Sequence, residues 1–209
     1  LACIDCIAGR YLDVTGGGPA SDCIVCVVGR YVTTAGAVDC VDCEAGKYSD
    51  TVENSIRCID CAPGKYVVAT TSDEASDCIE CVAGKYLNAV GSDESSDCID
   101  CPEGKYSGTA AASDQFDCIE CAAGKYLDAT GQTDVSNCKD CVAGRYTYAS
   151  GRTSCIKCPF GTYSSSVGSA LLSECIACMM GRYNDGEGLS GIDAECYDCT
   201  GNSNTASVG

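Results

Sequence analysis

The stretch Asp77-Cys78-Ile79-Glu80-Cys81-Val82-Ala83-Gly84-Lys85-Tyr86 decides the fold. Two cysteines stand three positions apart, and Gly and a basic-Tyr pair follow at fixed offsets. The pattern recurs from one end of the chain to the other. Eleven Cys-x-x-Cys pairs, from Cys3-Cys6 to Cys196-Cys199, use all 22 cysteines, and successive pairs begin 17 to 21 residues apart. A period of this size marks a tandem array.

Each position of the unit has a mechanical reading. Gly three residues after the second Cys suggests a turn needing positive φ, and Pro63-Gly64 suits the centre of a type II turn. The Tyr that follows begins a short strand, as in Tyr31-Val32-Thr33 and Tyr66-Val67-Val68. A loop of Ser, Thr, Gly and Asp returns the chain. A second short strand enters the next pair, with Ile or Val between its cysteines (Ile4, Ile24, Val41, Ile59, Ile79, Ile99, Ile119). The expected layer between repeats is that Ile together with Tyr11, Tyr31, Tyr48, Tyr66, Tyr86, Tyr106, Tyr126, Tyr146, Tyr163 and Tyr183. The array spans residues 1–199. After Cys199 the Gly-basic-Tyr element disappears, so 200–209 reads as a degenerate repeat start or tail.

Composition explains why sulfur must hold such a unit together. Leu, Ile, Val and Phe number 36 of 209 residues, and the net charge is −17. A chain so poor in large apolar groups would ordinarily be disordered. Ordering twenty residues costs on the order of 30 kcal/mol of conformational entropy. Three or four apolar side chains per repeat do not offset that. A disulfide closing a loop of about 15 residues is worth roughly 3 kcal/mol, and stacking on neighbours adds to it. Such cysteine density implies an oxidising compartment, hence a secreted or extracellular-surface location.

The same composition narrows the function. The acidic balance argues against nucleic acid as a partner. The chain has no His, so the usual general base and the commonest metal ligand are absent, and no enzyme and no cofactor is expected. No apolar run approaches the ~20 residues that span a bilayer. The chain opens at Leu1 inside a repeat, which reads as a mature form or a fragment.

Sequence alone does not prove cysteine connectivity. Joining the second Cys of one pair to the first of the next preserves the twenty-residue unit. It gives Cys6–Cys23, Cys26–Cys40, Cys43–Cys58, Cys61–Cys78, Cys81–Cys98, Cys101–Cys118, Cys121–Cys138, Cys141–Cys155, Cys158–Cys175 and Cys178–Cys196, leaving Cys3 and Cys199 unpaired. The alternative, Cys3–Cys23 with Cys6–Cys26, imposes a unit twice as long, and the loop lengths do not alternate.

Cys-x-x-Cys-x-x-Gly-x-Tyr followed by a Ser/Thr/Gly loop resembles the ephrin-receptor-like cysteine-rich repeats. It also looks like the single-bond module of tumour-necrosis-factor-receptor domains; Pro102, Pro159 and Pro63-Gly64 are the closest matches. Long arrays of this kind are similar to those in cell-surface and extracellular filament proteins of algae and other protists, including mastigoneme components. The resemblance implies a disulfide-rich repeat protein of the cell exterior.

Three sharper readings compete with structural disulfides. A redox Cys-x-x-Cys needs a lowered thiolate pKa, which eleven pairs among acidic neighbours do not favour. The spacing fits a zinc ribbon, but an odd number of pairs leaves one over. Asp73, Glu74 and Asp77 are a candidate calcium cluster, against the plainer reading of a solvated loop. The Lys or Arg after each Gly can pair with the acid inside a neighbouring Cys pair, such as Asp60, Glu80, Asp100 or Glu120. Ser- and Thr-rich tips such as Ser164-Ser165-Ser166 read as polar loops or O-glycan sites.

The expected fold is therefore an elongated solenoid or rod of short disulfide-closed β-hairpins and loops, almost without helix. The expected function is a building block of an extracellular filament or surface coat that associates with itself, and with other extracellular proteins or glycans. The alternative is the ectodomain stalk or ligand-binding surface of a receptor or adhesion protein.

Overall fold

The computed structural model describes residues 5–13, 19, 22–53, 55–191 and 196–199. It places the cysteines in ten disulfides: Cys6–Cys23, Cys26–Cys40, Cys43–Cys58, Cys61–Cys78, Cys81–Cys98, Cys101–Cys118, Cys121–Cys138, Cys141–Cys155, Cys158–Cys175 and Cys178–Cys196. Each bond closes one repeat, and the repeats are numbered 1 to 10 in that order. Cys3 and residues 200–209 lie outside the described residues.

Each repeat makes one antiparallel hairpin of two-residue strands, ten in all, and no α-helix occurs among the described residues. β1 (Arg10–Tyr11) pairs with β2 (Ile24–Val25), and the same register recurs as Lys65↔Glu80 with Tyr66↔Ile79. The first strand starts at the Gly-basic-Tyr turn. Gly46, Gly64 and Gly144 have φ of +84°, +83° and +80°, the left-handed region that glycine occupies without a Cβ clash.

Contacts divide the chain into two units, Leu1–Ile99 with Thr109–Asp117, and Asp100–Gly108 with Cys118–Gly209. Within the first, four backbone hydrogen bonds join repeat 3 to repeat 4. Gly46 N–H donates to the Val67 carbonyl at 2.8 Å, and Ser49 N–H to Ser72 at 3.0 Å. Cys61 N–H returns to Gly46 at 2.9 Å, and Thr71 N–H to Cys43 at 2.9 Å. Within the second unit the junction of repeats 7 and 8 uses the same set. Gly124 N–H donates to Thr147, Leu127 to Arg152, Cys141 to Gly124 and Gly151 to Cys121, at 2.9 to 3.0 Å. Backbone groups that a lone repeat would leave to water are thus paired by its neighbour.

The core of each repeat is its disulfide and the residue after the tyrosine. That residue is buried at every described copy: Leu12, Val32, Ser49, Val67, Leu87, Ser107, Leu127, Thr147, Ser164 and Asn184. Cys81, Leu87 and Cys98 form one such cluster, with Tyr66 of the preceding repeat packed against it. Tyr11, Tyr48 and Tyr106 pack in the same way on the clusters of Cys26, Cys61 and Cys121.

At the described copies the Ile or Val between the cysteines does not belong to this layer, and Ile4 lies outside the described residues. Ile59 is 40% exposed and Ile119 54%, which corrects the expectation for the Ile position. The cysteines on either side take the inward places, so the two residues between them stand on the outer face. Ile79 there stands across the hairpin from Tyr66.

Loop length has a structural counterpart. Repeats 4, 5, 6, 7 and 9, whose cysteines are 17 apart, each carry a three-residue 3-10 turn: Ala75–Asp77, Ser95–Asp97, Gln115–Asp117, Val135–Asn137 and Leu172–Glu174. Repeats 2, 3 and 8, with separations of 14, 15 and 14, lack it. The two or three extra residues supply the turn.

Candidate functional site

The surface available for function is the outer face of the hairpins and the loop tips. Across each hairpin the residue after the turn glycine meets an acid inside the next Cys pair. The distances are 2.6 Å for Arg30–Asp42, 3.6 Å for Lys47–Asp60, 3.2 Å for Lys65–Glu80, 3.4 Å for Lys105–Glu120, 2.6 Å for Lys125–Asp140 and 3.0 Å for Arg182–Asp198. These pairs are solvent-exposed and contribute little individually. The hairpin register does not depend on them, since it is kept where no acid stands opposite, as at Arg10↔Val25. Repeats 1, 8 and 9 depart from the rule, with Arg10 opposite Val25, Arg145 opposite Lys157 and Thr162 opposite Ala177.

The acidic loops act on their own backbone. Asp77 Oδ2 accepts the N–H groups of Asp73 (2.8 Å) and Glu74 (3.3 Å), which caps the 3-10 turn. Asp117 does the same for Ser113 (2.7 Å) and Asp114 (3.0 Å), and those backbone bonds hold its carboxyl below the usual carboxylate range. Asn137 and Glu174 fill the same place in repeats 7 and 9. Asp73, Glu74 and Asp77 therefore form a capped turn. Among the described residues no group of three or more His, Cys, Asp or Glu is arranged to hold a metal ion.

Hydrogen bonds shift other exposed groups. The Ser150 hydroxyl, and then Lys105, lower the Glu120 carboxyl. Lys139 lowers Asp128 and is itself raised, the two being 2.6 Å apart.

Two of the tyrosines line small cavities. Tyr31 lines one of about 140 Å³ with Glu44, Lys47, Arg57 and Cys58. Tyr126 lines one of about 180 Å³ with Val142, Arg145, Ser154 and Cys155. The lining positions are equivalent from one cavity to the other, and both belong to repeats that lack the 3-10 turn. Of the remaining tyrosines, Tyr146 and Tyr163 are buried, Tyr86 bridges to Ala112 and Tyr183 meets Tyr197 at 6.1 Å between ring centroids. Cys199 is a free, half-buried thiol, and its N–H donates to Gly181.

The match to a family of known proteins agrees with this geometry. The model of the "Tyrosine-protein kinase ephrin type A/B receptor-like" family matches residues 29–78, 69–118, 89–138 and 129–173, four overlapping stretches of the array. The chain belongs to this family of ephrin-receptor-like repeats. No curated protein gives a significant match to the chain. Receptor-like repeats and ten disulfides mark it as an extracellular or secreted module. Among the described residues no helix is long and apolar enough to cross a membrane.

Sequence reasoning missed two structural residues of the repeat. One is the buried position after the tyrosine. Its signal was present, since Leu, Val, Ser and Thr alternate there without a charge. The other is the residue before the first Cys in the repeats with a 3-10 turn (Asp77, Asp97, Asp117, Asn137 and Glu174), whose role as a cap depends on the fold of the loop ahead of it.

Proposed function

We propose that this chain is a structural building block of an extracellular filament or surface coat, stiffened by one disulfide-closed loop per repeat. The observation that carries the reading is the uniformity of the junctions. The same four backbone bonds join repeats 3 and 4 as join repeats 7 and 8, whatever the side chains. An array stabilised this way presents the same hairpin face again and again, which suits lateral or helical assembly of copies. Self-association is the partner interaction this reading requires. Electron microscopy of the unreduced protein tests it. Filaments with a regular axial repeat are expected, and dispersed single particles at every concentration would overturn it.

The family match favours a second reading, because its description is that of a receptor. On that reading the repeats form a stalk or ligand surface of a receptor or adhesion protein. Dispersed particles in the same images are its expected outcome.

A further inference from the structure

Repeat 8 sets two like charges face to face across its hairpin. Between Asp140 and Glu174 the sequence contains no acidic residue, although the whole chain carries −17. Arg145, Arg152 and Lys157 fall in this interval. Arg145 stands directly opposite Lys157 in the hairpin register, where Glu80, Glu120 and Asp140 stand opposite lysines elsewhere. Like charges facing each other across strands oppose pairing. Arg145 donates to the Cys155 carbonyl at 3.1 Å, and Arg152 lies over the Tyr148 ring at 5.5 Å. None of the three basic groups has a carboxylate within 4 Å among the described residues.

The cavity of repeat 8 carries the same imbalance. Its counterpart in repeat 3 includes its own carboxylate, Glu44, beside Lys47 and Arg57. In repeat 8 the Glu44 position is Val142, and Arg145 is the only charged residue lining the cavity. Tyr148, the ring under Arg152, is 60% exposed. The site therefore has basic groups and exposed aromatic surface, and the carboxylate that reaches its loop, Glu120 at Ser150 and Gly151, is already held by Lys105.

We propose that this face of repeat 8, built on Arg145, Arg152 and Lys157, docks an acidic turn of a second copy of the chain. The occupant follows from charge complementarity. Outside the acid-free interval the chain has 30 acids and ten basic residues. The exposed turns Asp73-Glu74 and Asp93-Glu94 offer the same paired acids twenty residues apart. The two patches are different surfaces, so the contact is heterologous. Such a contact propagates into open assemblies unless its rotation closes a ring. This inference rests on the self-association reading and names its contact.

The test is sedimentation velocity of the full, disulfide-intact chain at low and at physiological salt. It compares wild type, Arg152→Glu/Lys157→Glu, a variant with both turns reversed (Asp73→Lys/Glu74→Lys/Asp93→Lys/Glu94→Lys), a control Arg57→Glu, and an equimolar mixture of the first two variants. Wild type should associate, more strongly at low salt because exposed charge attraction is screened. Each charge-reversed variant should associate at least about ten-fold more weakly, the control should match wild type, and the mixture should recover association. An unchanged non-reduced mass and thermal midpoint will exclude misfolding. If wild type associates and the reversed island associates equally well, this contact is wrong and the self-association reading survives. If wild type stays monomeric throughout, both fall. Binding of heparin through the same three residues, without self-association, would make the face a polyanion site and overturn the second copy as its occupant.

Discussion

The α-carbon of Gly46 faces the carbonyl oxygen of Gly91, two repeats further along, so closely that a Cβ at Gly46 would stand 2.1 Å from it. The relationship recurs between Gly64 and Ala111 at 2.3 Å, and between Gly144 and Gly188 at 2.1 Å. Repeats 3, 4 and 8 therefore touch the repeat two along as well as bonding to the next. The turn glycine is required twice over, by its positive φ and by the backbone wall in front of it.

Replacing Gly46 or Gly144 by Ala should destabilise the fold by roughly 2–5 kcal/mol, combining the left-handed cost with overpacking against backbone. Gly181 shares the positive φ but has nothing within 4 Å of its Cβ direction. Its alanine variant should lose only about 1–2 kcal/mol. Thermal unfolding of the three variants with disulfides intact checks the difference.

Ser49 and Ser55 are both buried, with their hydroxyl oxygens 2.8 Å apart. Ser49→Ala strands a buried hydroxyl and should cost about 1–3 kcal/mol. Removing both hydroxyls should cost less than the sum of the single changes, because the unsatisfied group is then gone. A double-mutant cycle by chemical denaturation measures the coupling.

Cys101 and Cys118 close a loop with a sequence separation of 17. Replacing both by Ala should lower stability by about 2–5 kcal/mol. Full reduction should collapse the fold, since no repeat holds a core apart from its sulfur. Circular dichroism with and without reductant reports both results.

Asp117, Asp128, Asp134 and Glu120 have carboxyl pKa values lowered in the fold. The unfolded chain then binds more protons, so stability rises with pH across the carboxylate range. Their contribution is complete above the unfolded values of about 4 and is lost as pH falls through the lower folded ones. Lys139 acts in the opposite sense, its contribution being lost only as pH rises through its raised value. Asp117→Asn should keep the cap, as Asn137 does in repeat 7, while flattening part of the acid-side slope. The thermal midpoint of both proteins between neutral and strongly acid pH tests this.

The covalent period, the turn glycines, the ten hairpins and the absence of α-helix could all be read along the sequence. Each depends on residues within one repeat, where cysteine spacing, a positive φ and strand pairing are local matters. Tertiary structure decided which side chains face inward. The disulfides fill the interior, so Ile79 turns outward and Leu87 inward, although both are apolar residues of short extended segments. It also decided that Gly46 meets Gly91. That contact is set by how backbone hydrogen bonds pitch one repeat on the next, and the pitch is carried by N–H and C=O groups that every residue type shares.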